Sequence, residues 1–322
     1  MVIHEYLSGE TPEIYDYGDD VMVYNSFEEL IKKVKGYPER KRMAVAVAED
    51  SHTLEAVINA REEGIISPIL VGNKEKIQAV LEEMGEEVPF EDIYNAESDE
   101  EACTLAVSLV REGKADFLMK GKVDTKIILK AVVNKEAGLG LGRTMSHFTM
   151  FHVPTYHKIL VAVDGGMVTY PTLEQKKDII TNTVDTLLDM GYTCPKVGVL
   201  ACVEKVNPKM PETVEADELR QMNHRGEIEN CIVEGPISYD CAVDKEIADF
   251  KGYKSRIAGD VDVIVAPNIH AGNIMGKMLI CTCKAKMAGF VVGAKCPVVL
   301  TSRGSSPEEK YLSIVVSAAA VK

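Results

Sequence analysis

The sequence predicts an α/β protein built from two α/β/α domains with mostly parallel sheets. Three observations carry that reading. Apolar runs of strand length alternate with helical patterns of about 10–15 residues. The alternation breaks after Val133 into a glycine-rich stretch and a pair of apolar runs, and then resumes. The chain has 322 residues, which suits two domains at roughly 100–200 residues each.

Taken in order, the first 40 residues are acidic and hold one helical pattern, "SFEELIKKVKG". "MAVAVAED" then reads as a strand, followed by "HTLEAVINAREEG", where Leu54, Val57 and Ile58 recur at helical spacing until Gly64. Ile69 to Val71 predicts a second strand, with a Gly72-Asn73 turn and a helix after it. A third unit has a helix ending near Gly113 and a strand from Asp116 to Met119. Beyond the glycine-rich "NKEAGLGLGRTMS", the stretch "HFTMFHVPTYHKILVAVDGG" reads as paired strands. "LEQKKDIITNTVDTLLDMG" predicts a long helix, and "KVGVLAC", "CIVEGPIS" and "VDVIVAPN" predict further strands. The strand and helix from about residue 290 resemble the units of the first half. The first domain is therefore expected to comprise 1–139 plus 290–322, with 140–289 inserted as the second.

Hydrophobic residues make up 46% of the chain and charged residues 27%, as in soluble globular proteins. The net charge of −14 disfavours nucleic acid and anionic membrane as partners. Any site for an anion must then gather Lys and Arg locally. The eight cysteines form no C-x-x-C pair, and Met1 to Glu5 lack a basic region leading into an apolar one. Free thiols in a reducing cytoplasm are the expectation. No apolar run is long enough to span a membrane.

Ligands of open α/β sheets bind beyond the carboxyl ends of strands, and three such junctions stand out. In "FLMKGKVDTK", Lys120 and Lys122 flank Gly121 before a helix capped by Asp124 or Thr125. Helix N-termini attract anions; solvated lysines on a turn are the competing reading. In "VIVAPNIHAGNIMGKML", Pro267-Asn268 turns the chain and Gly272-Asn273 opens a helix, with amides able to donate and accept. Gly276-Lys277 imitates a P-loop, but the spacing is short and Met278 stands where Ser or Thr is required. In "TSRGSSPEEK", Ser305, Ser306, Pro307 and two glutamates suit a helix cap. Arg303 does not, because it places positive charge beside a helix end that is already positive. A bound anion would resolve that conflict.

Other patterns lead nowhere. "GLGLGR" lacks the strand and helix that frame a dinucleotide fingerprint and reads as a hinge. His147, His152 and His157 recur every five residues and so face different ways on a helix or a strand. His270 reads as a loop histidine, and no metal-ligand cluster with usable spacing is visible.

Together, "LMKGKVDT", "EGPISYDCAVD", "APNIHAGNIMGK" and "SRGSSPEEK" resemble the phosphate acetyl/butyryl transferase family over roughly residues 40 to 320. The Lys-Gly form near residue 120 and "GRTMSHFTMF", with Ser146 and His147, look more like its butyryltransferase branch. The resemblance implies a fold similar to isocitrate and isopropylmalate dehydrogenases, a cleft between the domains, and a homodimer. It implies the reaction acyl-CoA plus phosphate giving acyl phosphate plus CoA, with no metal or redox cofactor. Ser302 and Arg303 match the active-site Ser-Arg pair, and Glu309 stands where the acetyltransferases carry an aspartate proposed as base. An arginine those enzymes use after their first motif has no direct match; Lys130 stands nearby, with Lys120 and Lys122 as the alternatives. Asn268, Gly272, Asn273 and Lys277 complete the expected substrate-binding set.

These residue types suit that chemistry. A thiol of reference pKa about 8.5 must become a thiolate to attack an acyl phosphate. A carboxylate can take its proton in a dry site, and a hydroxyl can hold the oxyanion. A guanidinium suits bidentate phosphate recognition. Direct transfer in a ternary complex follows, since no cysteine has a motif that makes it an acyl carrier. Phosphate acetyltransferase activity and a non-catalytic acyl-CoA-binding module are the alternatives. A dehydrogenase would need an aspartate metal cluster and a nicotinamide site, which the sequence lacks.

Overall fold

Each alternating run of the first half becomes a strand–helix unit. The computed structural model describes residues 23–302 and 304–322. Helix α1 (Phe27–Lys35) precedes β1 (Lys41–Ala46), α2 (Ser51–Glu62), β2 (Ile66–Gly72), α3 (Lys74–Met84), β3 (Ile93–Asn95), α4 (Asp99–Arg111), β4 (Phe117–Lys120) and α5 (Thr125–Val132). The paired strands β5 (Ser146–His152) and β6 (Leu160–Val163) follow, then α6 (Leu173–Asp189), β7 (Lys196–Leu200), α7 (Pro211–His224) and β8 (Ile232–Ile237). The chain closes with α8 (Tyr239–Val243), α9 (Lys245–Phe250), β9 (Val263–Val265), α10 (Ile269–Cys281), β10 (Lys286–Val292), β11 (Val298–Val299) and α11 (Pro307–Ala319).

Local chemistry sets several helix starts. Asp50 accepts the Thr53 N–H at 2.9 Å, Ser98 accepts that of Glu101 at 3.2 Å, and Thr172 and Gln175 form a reciprocal capping box. Gly85, in the left-handed conformation, ends α3.

The described strands form one sheet in the order β3-β2-β1-β4-β11-β10-β5-β6-β9-β7-β8. Pairing is parallel from β3 through β11 and again from β6 through β8, and antiparallel at β11/β10, β10/β5 and β5/β6. The fold is therefore α/β with a mostly parallel sheet. Strand β11 lies beside β4, so the C-terminal strand and helix join the strands of the first half. The expected boundary at 289/290 falls inside β10, whose pairing with β5 joins the two halves of the sheet.

The chain runs from β1 outward through β2 to β3, then returns to β4 on the other side of β1. The loops after β1 and β4 consequently diverge around a crevice, the usual ligand position in such sheets. Core side chains including Phe117, Phe148, Phe290 and Leu70 are fully buried, and α11 is covered along most of its length.

Four sequence readings need correction. Gly272-Asn273 does not open a helix; α10 begins at Ile269 on an Asn268 cap, so the pair lies within its first turns. His270 is therefore helical, exposed, and 3.0 Å from the Tyr170 hydroxyl. The competing reading of solvated turn lysines fails for Lys120, which ends β4 and is 8% exposed. Strands β3 and β10 were not anticipated as separate elements.

Candidate active site

Two cavities lie at the strand ends and share one wall, Thr301 and Ser302. The larger, about 580 Å³, fills the crevice between β1 and β4. Its lining comes from Glu49 to Thr53 after β1, Val80 and Glu83 on α3, Lys120 to Val123 at the end of β4, and Lys310 on α11. The smaller, about 410 Å³, is lined by His147, Thr149 and Phe151 of β5, Gly165-Gly166 after β6, and Gly272, Asn273, Gly276 and Lys277 of α10. Leu300, Ser305 and Glu309 complete its side toward α11.

Steric demand explains the Lys-Gly-Lys motif. The Gly121 and Lys122 N–H groups donate to the Ala46 and Val47 carbonyls at 2.8 and 2.9 Å, tying the loop to the end of β1. A Cβ on Gly121 would lie 2.1 Å from the Val47 oxygen, so only glycine fits between the lysines. Val47 itself has φ of 56°, an uncommon conformation for a β-branched residue. The Lys120 ammonium donates to the Gly121 and Val123 carbonyls, each at 3.1 Å, while Lys122 is exposed.

The second motif acts through a similarly close approach. A Cβ on Gly272 would lie 2.7 Å from the Asp164 carbonyl oxygen and 3.0 Å from the Gly165 Cα. The Asn273 amide donates to the Gly165 carbonyl at 3.1 Å. The loop after β6 is held in turn by buried Asp164, which accepts the N–H groups of Gly166, Met167 and Val168. Asn268 spends its side chain on the α10 cap, accepting from Ala271 at 3.1 Å, and lines neither cavity.

In the third motif Ser306 is the N-cap of α11, accepting the Glu309 N–H at 3.1 Å, with Pro307 in the first turn. The Glu309 carboxylate takes the Ser305 hydroxyl at 2.6 Å. Ser302 is exposed, and its hydroxyl accepts the Gly304 N–H at 3.3 Å. Arg303 lies outside the described residues.

Strand alternation separates Ser146 from His147. Residues 147, 149 and 151 of β5 face the smaller cavity, so Ser146 points to the opposite face. It is fully buried there, with a hydroxyl that has no hydrogen-bond partner among the described residues. His147 packs against Gly166 and Gly289, with Nδ1 2.9 Å from the Thr149 hydroxyl. Burial pushes its pKa down, opposed by the Asp164 carboxylate. Lys130, on α5, is exposed and lines neither cavity.

The structure thus brings together His147, Gly272, Asn273, Lys277, Ser302 and Glu309 in one cavity, and Lys120, Lys122 and Ser302 in the other. Sequence reasoning missed Thr149, Ser305, Lys310 and the Gly165-Gly166 turn. The "VDGG" at the end of β6 was the available signal for the last of these.

Away from both cavities, Glu204, Asp240 and Cys241 approach within metal-ligand range. The Lys251 ammonium sits between the two carboxylates, 3.0 Å from Glu204 and 2.8 Å from Asp240. That pairing already serves the local charge. Among the described residues no helix is long and apolar enough to cross a membrane.

Fold and site define an α/β protein that gathers lysines, a serine and a glutamate at the carboxyl ends of its strands. A family model described as Phosphate acetyl/butaryl transferase matches residues 26–104 and 96–318. The chain belongs to this family of transferase enzymes. It is 43% identical over 293 residues to a phosphate butyryltransferase of Clostridium acetobutylicum, covering 91% of this chain and 97% of that protein. It is also 43% identical over 291 residues to a phosphate acetyltransferase of Thermotoga maritima, covering 90% of this chain and 98% of that one. Among solved structures, a branched-chain phosphotransacylase from Enterococcus faecalis superposes with a TM-score of 0.76 at 30% identity, covering 87% of this chain and 98% of that chain.

Proposed function

We propose that this protein transfers a short acyl group, butyryl in the first instance, between CoA and inorganic phosphate. The observation that carries the site assignment is the smaller cavity, where Ser302 and Glu309 face His147, Asn273 and Lys277. In the direction of CoA acylation, Glu309 takes the thiol proton and the sulfur attacks the acyl carbon of the acyl phosphate. The C–S bond forms, the Ser302 hydroxyl donates to the oxyanion, and the C–O bond to phosphate breaks. Phosphate leaves, and the reverse sequence makes acyl phosphate.

An acyl chain longer than acetyl is supported by the apolar side of the cavity, formed by Phe151, Ile280, Met287 and Leu300. The acetyl reading rests on the equal identity to the Thermotoga maritima enzyme. Rates across acetyl-, propionyl-, butyryl- and branched acyl-CoA decide between them; a clear preference for acetyl-CoA would overturn the butyryl assignment.

The proposal further assigns phosphate recognition to Arg303, with Lys120 and Lys122 gathering substrate anions. It keeps the division into 1–139 plus 290–322 and 140–289, with lining residues of the smaller cavity drawn from both units. It includes a homodimer in the cytoplasm, and a reaction that needs no metal. Activity lost to EDTA and restored by a divalent ion would contradict that last element.

A further inference from the structure

We infer that Lys310 joins Arg303 in anchoring inorganic phosphate, and does so from the larger cavity, across Ser302 from the reacting acyl group. The inference rests on the proposed phosphate acyltransferase activity and adds to it a residue and a place for the second substrate.

Lys310 sits in the first turns of α11, is only 7% exposed, and lines the crevice between β1 and β4. Among the described residues no hydrogen bond or ion pair engages its ammonium. An ammonium withdrawn from water without a partner is costly, and folded proteins pair such charges. None of the cavity's carboxylates, Glu49, Asp50 and Glu83, pairs with it. Glu49 accepts the Asn73 N–H at 2.7 Å and pairs with Lys76 at 3.3 Å. Asp50 gives one carboxylate oxygen to the Thr53 N–H as the α2 cap, and its other oxygen is buried with no hydrogen-bond partner among the described residues, outside ion-pair distance of Lys310. Lys120 donates to two backbone carbonyls, and Lys122 is exposed. Glu309, next in sequence, faces the other cavity with the Ser305 hydroxyl on its carboxylate.

The missing partner is therefore an anion that enters the crevice from solvent. A compact anion carrying two negative charges suits a point-charge ammonium on a flexible stem, backed by Lys120 and Lys122. Inorganic phosphate has that form. From this cavity a phosphate oxygen meets the acyl carbon past Thr301 and Ser302, the wall both cavities share. The two substrates then approach Ser302 from opposite sides, as direct transfer in a ternary complex requires.

The test compares Lys310→Met, which keeps most of the buried stem, with Lys310→Arg and the native protein. Phosphate-dependent CoA release is measured while phosphate and butyryl-CoA are varied separately. In Lys310→Met the KM for phosphate is expected to rise about 10- to 100-fold, the loss of one hydrogen bond to a charged group. The KM for butyryl-CoA should stay near native, and Lys310→Arg should recover part of the phosphate affinity. Thermal stabilisation of the native protein by inorganic phosphate, without acyl-CoA, should be lost in Lys310→Met. That binding measurement stands whether or not turnover is seen, so it separates failure of the Lys310 assignment from failure of the proposed reaction. An unchanged phosphate KM with undiminished stabilisation in folded Lys310→Met overturns the inference. A rise confined to the KM for butyryl-CoA also overturns it, by assigning the cation to CoA.

Discussion

Ser305 donates its hydroxyl to the Glu309 carboxylate across 2.6 Å, joining the loop after β11 to the first turn of α11. Both residues line the smaller cavity, where the proposed reaction puts the CoA thiol. Substituting Glu309→Gln removes the proposed base while keeping size, and kcat should fall by roughly 10²–10⁴. Glu309→Asp should retain more activity, because its carboxylate survives one methylene short. Steady-state kinetics check this; near-native kcat in Glu309→Gln would remove the residue from the chemistry.

The α11 cap and the proposed catalytic hydroxyl fall on different serines of this loop, which makes them separable. Ser302→Ala should lower kcat by roughly 10²–10³ with little change in KM, the pattern of a contact made in the transition state. Ser306→Ala should instead cost about 1 kcal/mol of stability through loss of the α11 cap and keep near-native turnover when folded. Thermal unfolding measured beside kcat tells the two apart.

Gly272 is held against the loop after β6 with no room for a side chain. Gly272→Ala would set a Cβ 2.7 Å from the Asp164 carbonyl oxygen, against backbone that cannot rotate away. We expect a loss of about 1–3 kcal/mol and a raised KM, since the same loop lines the smaller cavity. Denaturant unfolding gives the first quantity and kinetics the second; unchanged stability would mean the two segments separate freely.

These relationships show what the sequence made legible. Gly121, Gly272 and the Ser-Ser-Pro cap were readable because glycine, proline and serine mark backbone geometry locally, and each falls at a strand end. Asp124 and Ser306 cap their helices as their residue types suggest. Strand β10 was not read as an element of its own, because "KMAGFVV" has no turn chemistry tying it to β5, more than a hundred residues earlier. Ser146 and His147 looked equivalent in sequence, and strand alternation sends them to opposite faces. Lys310 gave no signal at all. A lysine after two glutamates reads as a solvated helix face, and only packing of α11 against the sheet reveals that it is buried.

Acid should weaken the fold partly through Asp240. The Lys251 ammonium and the Ser238 hydroxyl hold its carboxyl down from an ordinary 3.8 to about 2. A carboxyl depressed on folding adds stability above its unfolded pKa and loses it as pH falls toward the folded one. The stability gap between native protein and Asp240→Asn should thus be largest near neutral pH and shrink from about pH 4 to pH 2. Denaturant unfolding across that range checks the sign. A gap that stays constant, or grows in acid, would contradict it.

The most direct measurement is release of free CoA thiol from butyryl-CoA by the purified protein, with and without inorganic phosphate. A phosphate acyltransferase releases thiol only when phosphate is present and forms butyryl phosphate in equal amount, and folded Ser302→Ala does so at roughly 10²–10³ lower kcat. Thiol release that ignores phosphate, or no release while butyryl-CoA still binds, would contradict the proposed reaction.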